Sequence, residues 1–495
     1  MASFRHYKTL LKRWTLLLLP LTLGLILFLQ GYQPGLSQSA YPAIRGVWIT
    51  NNDTIHFMDQ GRTQESINQL ARLNFNTLYP VVWNSGYILY ESAIAKREGL
   101  QPFSPRGDQG QDVLADLIQR AHRQGLLVLP WFEFGFMAPP FSELVRKHPQ
   151  WFTQRQDGSK TSVTAAGEVM WMNPFHPQVQ KFITDLVLEV VTQYDVDGIQ
   201  FDDHTALPNQ FGYDPYTVAL YQQEMKTAPP SNPKDPAWIR WRADKLTAFI
   251  AQLNQAIKAR KPQILFSLSP ATYNLAYQTY LQDWLDWVRK GLVDEVIVQV
   301  YRTQLASFIE PLQRPEFQEA KLRVPTAVGV LTGLKTKQVP MALVAEKVRA
   351  AMNQGLGIAF FYYKTLWEIA PEDKQSRLSQ FQALFRSPAP RSLAQKFVPQ
   401  LPPIPLAPSS ATDKSSTPAP RSPQAPKNPV TTKSPRPTVV SPQPPRDNFP
   451  PEPTLTVPVI PAPSTGASSI KPAPQPVDNF PPEPTLDPEV SPLLF

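Results

Sequence analysis

No cysteine occurs anywhere in the 495 residues. Its absence excludes thiol catalysis, disulfide staples, thiolate metal sites and lipid attachment through an N-terminal cysteine, and it leaves the compartment open. The six histidines are scattered, with no HxH or HExxH pair, so no metal-ligand motif is present; only His56, His176 and His204 stand where they can reach a common rim. There is no GxSxG elbow, and Ser267 and Ser269 have no neighbours that mark a triad. No glycine-rich phosphate loop follows the first apolar run, where Trp48, Ile49, Thr50 and Asn51 stand, so a dinucleotide fold is not expected. Neither a cofactor nor a metal is therefore expected. The formal charge of +8 is modest for this length. Lys and Arg are interspersed with acids instead of forming a stripe, which argues against a nucleic-acid partner.

What is present begins with a basic cluster, Arg5, Lys8, Lys12 and Arg13, ahead of a charge-free apolar stretch over 14–29. Ser37 and Ser39 follow at the spacing of an A-x-A-like cleavage site. This is the layout of a secretory signal over 1–40, with an uncleaved membrane anchor as the alternative. Either way the remainder is expected to be exported to the periplasm, the envelope or the medium, touching membrane only through that segment. At the other end, more than half of the 56 prolines fall after Phe385. Residues 387–495 are rich in Pro, Ser, Thr, Ala and Lys and read as a disordered tail. Within it DNFPPEPTL occurs twice, at 447–455 and 478–486; a spacer is expected, with contact to anionic cell wall as its partner role.

Between these ends, over 41–386, short apolar runs alternate with helix-period segments. Eight strands are expected, over 44–50, 75–83, 126–134, 196–203, 264–270, 293–301, 323–331 and 356–363. Helical patterns fill the gaps, over 63–73, 112–124, 177–194, 238–258, 280–290 and 339–353. Apolar strands separated by helices imply a parallel sheet under a helical layer, and eight of them favour closure into an α/β (β/α)8 TIM barrel.

Barrel enzymes carry their reactive groups where strands run into the following loops. Strand four reads VDGIQFDDH and strand three LPWFEF, which bring Asp202, Asp203 and Glu133 to those ends. Strand alternation groups Gln200, Asp202 and His204 on one face and Phe201 with Asp203 on the other. A Gln, Asp and His face does not suit a helix layer of Leu and Val, so Asp202 is expected in the barrel mouth as the first catalytic carboxylate. Asp203 is either a second acid or a buried partner; the plain alternative is that these acids cap the next helix or pair with Arg302. Trp83, Asn84 and Tyr87 after strand two, Trp131 on strand three, Gln299, Tyr301 and Arg302 at strand six, and Tyr363 and Trp367 after strand eight complete a rim of aromatic and amide groups. Flat sugar faces stack on such rings, while acids and amides bind hydroxyls, so a polysaccharide is the expected partner.

Taken in order, RGVWIT, NTLYPVVW, HRQGLLVLPWFEF, MNPFHPQVQ, DGIQFDD and QVYR resemble the bacterial glycosyl hydrolase-like family 10, over 43–385. The resemblance implies a (β/α)8 barrel acting on glycosidic bonds, with envelope members associated with peptidoglycan glycan strands that lack stem peptides. It places the family's paired acids on Asp202 and Asp203, its NP pair on Asn173 and Pro174, and its QVY element on Gln299 and Tyr301. Where the family more often reads WFNPYR, this chain has WFEFGF, so Glu133 departs from the pattern. DGIQFDDH is also distantly similar to the DGxDxDxE signature of family 18 chitinases. That similarity implies substrate-assisted hydrolysis of an N-acetylated sugar, with His204 in place of the proton-donating Glu and the acid falling to Asp203 or Glu133. The competing class is a glycan-binding barrel without turnover, since TAVGVLTG in strand seven lacks the carboxylate that many barrel glycosidases carry there.

Overall fold

Short runs of β-branched and aromatic residues form eight parallel strands: β1 (Arg45–Ile49), β2 (Thr77–Pro80), β3 in two segments (Leu127–Val128 and Trp131–Phe132), β4 (Gly198–Asp202), β5 (Leu265–Ser269), β6 (Glu295–Gln299), β7 (Thr326–Leu331) and β8 (Gly357–Phe361). The structure is a computed structural model, and it describes residues 43–404 except 101–105, 165–166, 396 and 398. The N-terminal apolar run and both DNFPPEPTL repeats lie outside the described residues. Among the described residues, no helix is long and apolar enough to cross a membrane.

β1 pairs with β2 on one side and β8 on the other, and pairing continues through β7, β6 and β5 to β4. β4 pairs with the second segment of β3, and β2 with the first. The sheet therefore closes on itself through β3, as the count of eight strands predicts. The interruption in β3 falls at Leu129 and Pro130, and proline has no N–H to give the ladder.

Alternation sorts the strand residues into two cores. Val47, Leu78, Val128, Val296, Val328 and Phe360 pack outward beneath the helices, while Trp48, Tyr79, Leu129, Trp131, Ile297, Ala327 and Phe361 fill the barrel interior. Helices begin where the sequence supplies oxygen acceptors: Asp59, Asp112, Asp214, Asp235 and Asp373 each cap an N-terminus, and proline follows the cap in Pro177–Gln193, Pro215–Met225 and Pro236–Arg260. The helix expected over 280–290 is instead two, Tyr273–Tyr280 and Trp284–Arg289. Leu281 adopts a left-handed φ of 57° and Asp283 caps the second helix, and this break turns Gln282 toward the end of β4.

The chain departs from expectation again after Phe385. Residues 387–404, assigned to the tail on composition, cross the N-terminal end of the barrel. Arg45 and Asn76 donate to the carbonyls of Ser387 and Ala389, and Arg323 to that of Pro402. Arg391 enters the barrel floor, donating to Thr77 Oγ1 at 2.7 Å and to Glu295 Oε2 at 2.5 Å. Prolines are compatible with this extended strap because side chains of the barrel supply most of its donors.

Candidate active site

At the opposite, C-terminal end, Trp48, Trp131, Glu133, Asp202, Asp203, His204, Gln299, Tyr301 and Phe361 line a slot. Its volume is about 20 Å³, enough for about one water molecule. Strand β4 ends at Asp202, so strict alternation stops there, and Asp203 in the following turn swings to the same cavity.

Each acid is held differently. Asp202 accepts from the indole Nε1 of Trp131 at 2.9 Å and from the backbone N–H of His204 at 2.9 Å, so both its oxygens are engaged. Asp203 Oδ1 accepts from Gln299 Nε2 at 2.8 Å, whereas its buried Oδ2 has no partner. Glu133 accepts from the amide of Asn84 through Oε2. Beneath them Trp48 Nε1 donates to Gln200, which donates to Ser267, stitching the slot floor across β1, β4 and β5. Gln282 Nε2 reaches the carbonyls of Asp202 and Thr205 and fixes the β4 loop from behind.

Three carboxyl groups in one dry slot cannot all ionise freely. Burial pushes Glu133 up to about 8, with the Asp202 charge adding to the effect against the Asn84 hydrogen bond. Asp203 is also raised by burial, to about 6, held in check first by His204. Burial alone would lower His204, but the Asp203 and Asp202 charges outweigh it and raise it to about 10. At neutral pH the imidazole is thus a cation. One carboxylate oxygen each of Asp202 and Asp203 and one ring nitrogen of His204 lie within 4.8 Å of one another, a spacing a divalent ion can bridge; a doubly protonated imidazole, however, donates and does not ligate. Its Nδ1 lies 2.7 Å from the Glu133 carbonyl, tying β3 to β4.

The β3 turn that carries Glu133 requires glycine. Gly135 has a left-handed φ of 46°, and a Cβ there would meet the His204 carbonyl oxygen at 2.3 Å. Its own carbonyl accepts from Trp83 Nε1 at 3.0 Å.

Of the residues proposed from sequence, the slot gathers Glu133, Trp131, Asp202, Asp203, His204, Gln299 and Tyr301, with Asn84 behind Glu133 and Tyr87 exposed on the adjoining hairpin. Others lie elsewhere. Trp83 is fully buried against Phe182 under the helices. Asn173 spends its amide on Asp214, Thr217 and Phe175, closing the loop before Pro177–Gln193. Tyr363 donates to Ser66 at 2.6 Å and Trp367 packs on Tyr363 and Phe381, both in the outer core. The carbonyl of Arg302 takes the Lys347 ammonium, and Arg302 does not line the slot. His56 bonds Ser66, and His176 caps a helix. Trp48 and Phe361 line the slot although the rim inventory omitted them; their signal was inward register, opposite to Val47 and Phe360.

The model of the glycosyl hydrolase-like 10 family matches residues 43–351. The chain is 27% identical over 291 residues to "Glycosyl hydrolase DigH" of Escherichia coli strain K12, covering 54% of this chain and 63% of that protein. It is 29% identical over 218 residues to "Glycosyl hydrolase YngK" of Bacillus subtilis strain 168, covering 39% of each. It thus spans less than two thirds of the length of either relative. Among solved structures, the glycoside hydrolase domain of PgaB (BpsB) from Bordetella bronchiseptica is similar with a TM-score of 0.53 and 16% identity, over 71% of this chain and 100% of that one, a likeness of fold.

Proposed function

Since the chain belongs to the glycosyl hydrolase-like 10 family, we propose that it hydrolyses O-glycosidic bonds of an envelope or extracellular polysaccharide, with peptide-free peptidoglycan glycan strands as the first candidate. The observation that carries this reading is the convergence of Glu133, Asp202 and Asp203 with aromatic rings in one slot at the C-terminal end of the barrel. Hydrolysis of a glycoside requires one carboxyl group to protonate the leaving oxygen and another to attack the anomeric carbon or activate water.

The distribution of hydrogen bonds supports a division of roles. Glu133, with its proton held to about pH 8, is the proton donor at neutral pH. Asp203 is the reacting carboxylate, since its Oδ2 is the unspent oxygen and Gln299 fixes the other. Asp202, with both oxygens engaged, positions Trp131 and the β4 turn. One of its oxygens lies within 4.8 Å of one of Asp203. Two carboxylates so close favour one reacting carboxylate with its neighbour in support, and Glu133 as the acid. The His204 charge opposes the effect of burial on Asp203. The segment beyond 404, with Lys414, Arg421, Lys427, Lys433 and Arg436, serves as a tether to anionic wall polymer in this reading.

Reducing-end release from purified peptide-free glycan strands tests the proposal. Saturable binding with no release would favour the glycan-binding barrel without turnover, to which the absence of a carboxylate in β7 lends weight.

A further inference from the structure

The slot is far smaller than the roughly 300–1,000 Å³ of pockets that enclose whole ligands, at about 20 Å³. With room for about one water molecule it encloses no sugar ring, so most of the binding energy for any glycan has to arise outside it. The exposed side chains show where. Among the described residues, Ile55, Tyr87, Phe141, Val163 and Tyr216 are large apolar groups open to solvent, and they follow β1, β2, β3, β3 and β4. Those four strands are neighbours around the barrel. No large apolar side chain is exposed in the loops that follow β5 to β8 at the same end, among the described residues. Solvent-exposed rings concentrated on one half of a mouth mark a contact surface.

That half is also the half that carries the acids, and it is built in one piece with them. The hairpin Trp83–Asn84/Tyr87–Ile88 holds Asn84, whose amide binds Glu133, and Tyr87, which is 41% exposed. Its tip lies against the next loop: a Cβ on Gly86 would stand 3.1 Å from Ser142 Cβ. Ser142 caps the short helix Glu143–Lys147, and Arg146 donates to the Phe141 carbonyl at 2.7 Å, so Phe141, 75% exposed, projects from a fixed backbone. Two rings on braced loops beside the proton donor are suited to stacking on sugar faces.

We infer that Tyr87 and Phe141 form a shelf that binds sugar rings of the same chain beyond the one at the mouth of the slot, so that the protein acts on long polymers in preference to short oligosaccharides. The inference rests on the proposed glycan hydrolysis. Each ring contributes through stacking, and removing both costs about tenfold or more in polymer recognition.

The test compares the full chain with Tyr87→Ala/Phe141→Ala on long peptide-free glycan strands and on tetrasaccharide fragments of the same strands, with melting temperature read in parallel. The expected result is a fall of at least about tenfold in the ratio of kcat/KM for strands to kcat/KM for fragments, at unchanged melting temperature. An unchanged ratio overturns the shelf. Affinity electrophoresis through gels containing the strands reads the shelf without turnover: the wild-type chain is expected to be retarded and the double variant to run free. If the wild-type chain releases no reducing ends yet shows that difference, the hydrolytic reading fails and the shelf stands; equal retardation of the two overturns the shelf whatever the activity.

Discussion

The two ends of this barrel both bury carboxyl groups, and they treat them in opposite ways. At the N-terminal end Glu295 is fully enclosed, and each of its oxygens is spent, one on the hydroxyl of Tyr79 at 3.0 Å and one on the guanidinium of Arg391. At the C-terminal end three carboxyl groups face one imidazole, and one of their oxygens has no partner. A larger hollow, about 350 Å³, lies at the N-terminal end beside His122, Asp197 and Arg391, yet the three converging carboxyl groups are in the tight slot. Charge matching and saturated lone pairs mark a carboxylate that holds the structure. Excess negative charge with an unspent oxygen marks one that is kept for chemistry.

The largest effect that sharpens this contrast is on turnover. Glu133→Gln and Asp203→Asn are each expected to lower kcat for glycan hydrolysis on the order of 10³-fold while glycan binding persists; activity within a fewfold of wild type in either variant would break the assignment. Asp202→Asn, which keeps one oxygen for its two donors, should cost less than Asp203→Asn, and the reverse order would return the reacting role to Asp202.

Next comes stability, where the same change of a carboxylate to its amide should act with opposite sign at the two ends. Arg391→Ala strands a buried charge and is expected to destabilise by about 3–5 kcal/mol, and Glu295→Gln lowers stability in the same direction. Glu133→Gln removes a group that folding forces to remain protonated. Because the Glu133 pKa is raised in the folded state from 4.5 to about 8, its contribution favours folding below pH 4.5 and is lost as pH rises through 8. The amide variant should therefore melt higher than wild type above pH 8 and alike near pH 4. Thermal melts of the two variants across pH decide whether the ends differ as described.

Truncation extends the comparison to the chain terminus. Ending the chain after residue 386 removes Arg391 and should destabilise as Arg391→Ala does, whereas ending it after residue 404 should leave melting temperature and activity on soluble glycan unaltered. A smaller expected effect is the pH profile of kcat/KM. Activity needs Asp203 ionised and Glu133 protonated, so it should fall as pH drops through about 6 and again as pH rises through about 8. A flat profile across that range would separate these groups from the chemistry.

How far these features could be read from sequence varied with their physical basis. Strand number, parallel order and the β4 acids followed from apolar runs and from carboxylates at a strand end, which local patterning expresses directly. The choice among aromatics did not. Strands of a parallel barrel are apolar on both faces, so composition cannot distinguish Trp83, which faces the helices, from Trp48, which faces the slot. Asp203 escaped the alternation rule because the strand ends one residue before it. The part played by Glu133 depends on burial and on a hydrogen bond from Asn84, 49 residues away. Arg391 was hidden by the prolines around it, which signal a tail whether or not one side chain turns back into the barrel.

The turn at Gly135 also has a consequence for how the spacing of this site is held. Backbone lies directly against backbone there, so the spacing between the strand bearing Glu133 and the turn bearing Asp203 is set by main-chain contact and not by the girth of any side chain. If Glu133 and Asp203 act as proposed, a side chain at position 135 would push apart the two carboxyl groups whose separation decides whether the anomeric configuration is kept or reversed.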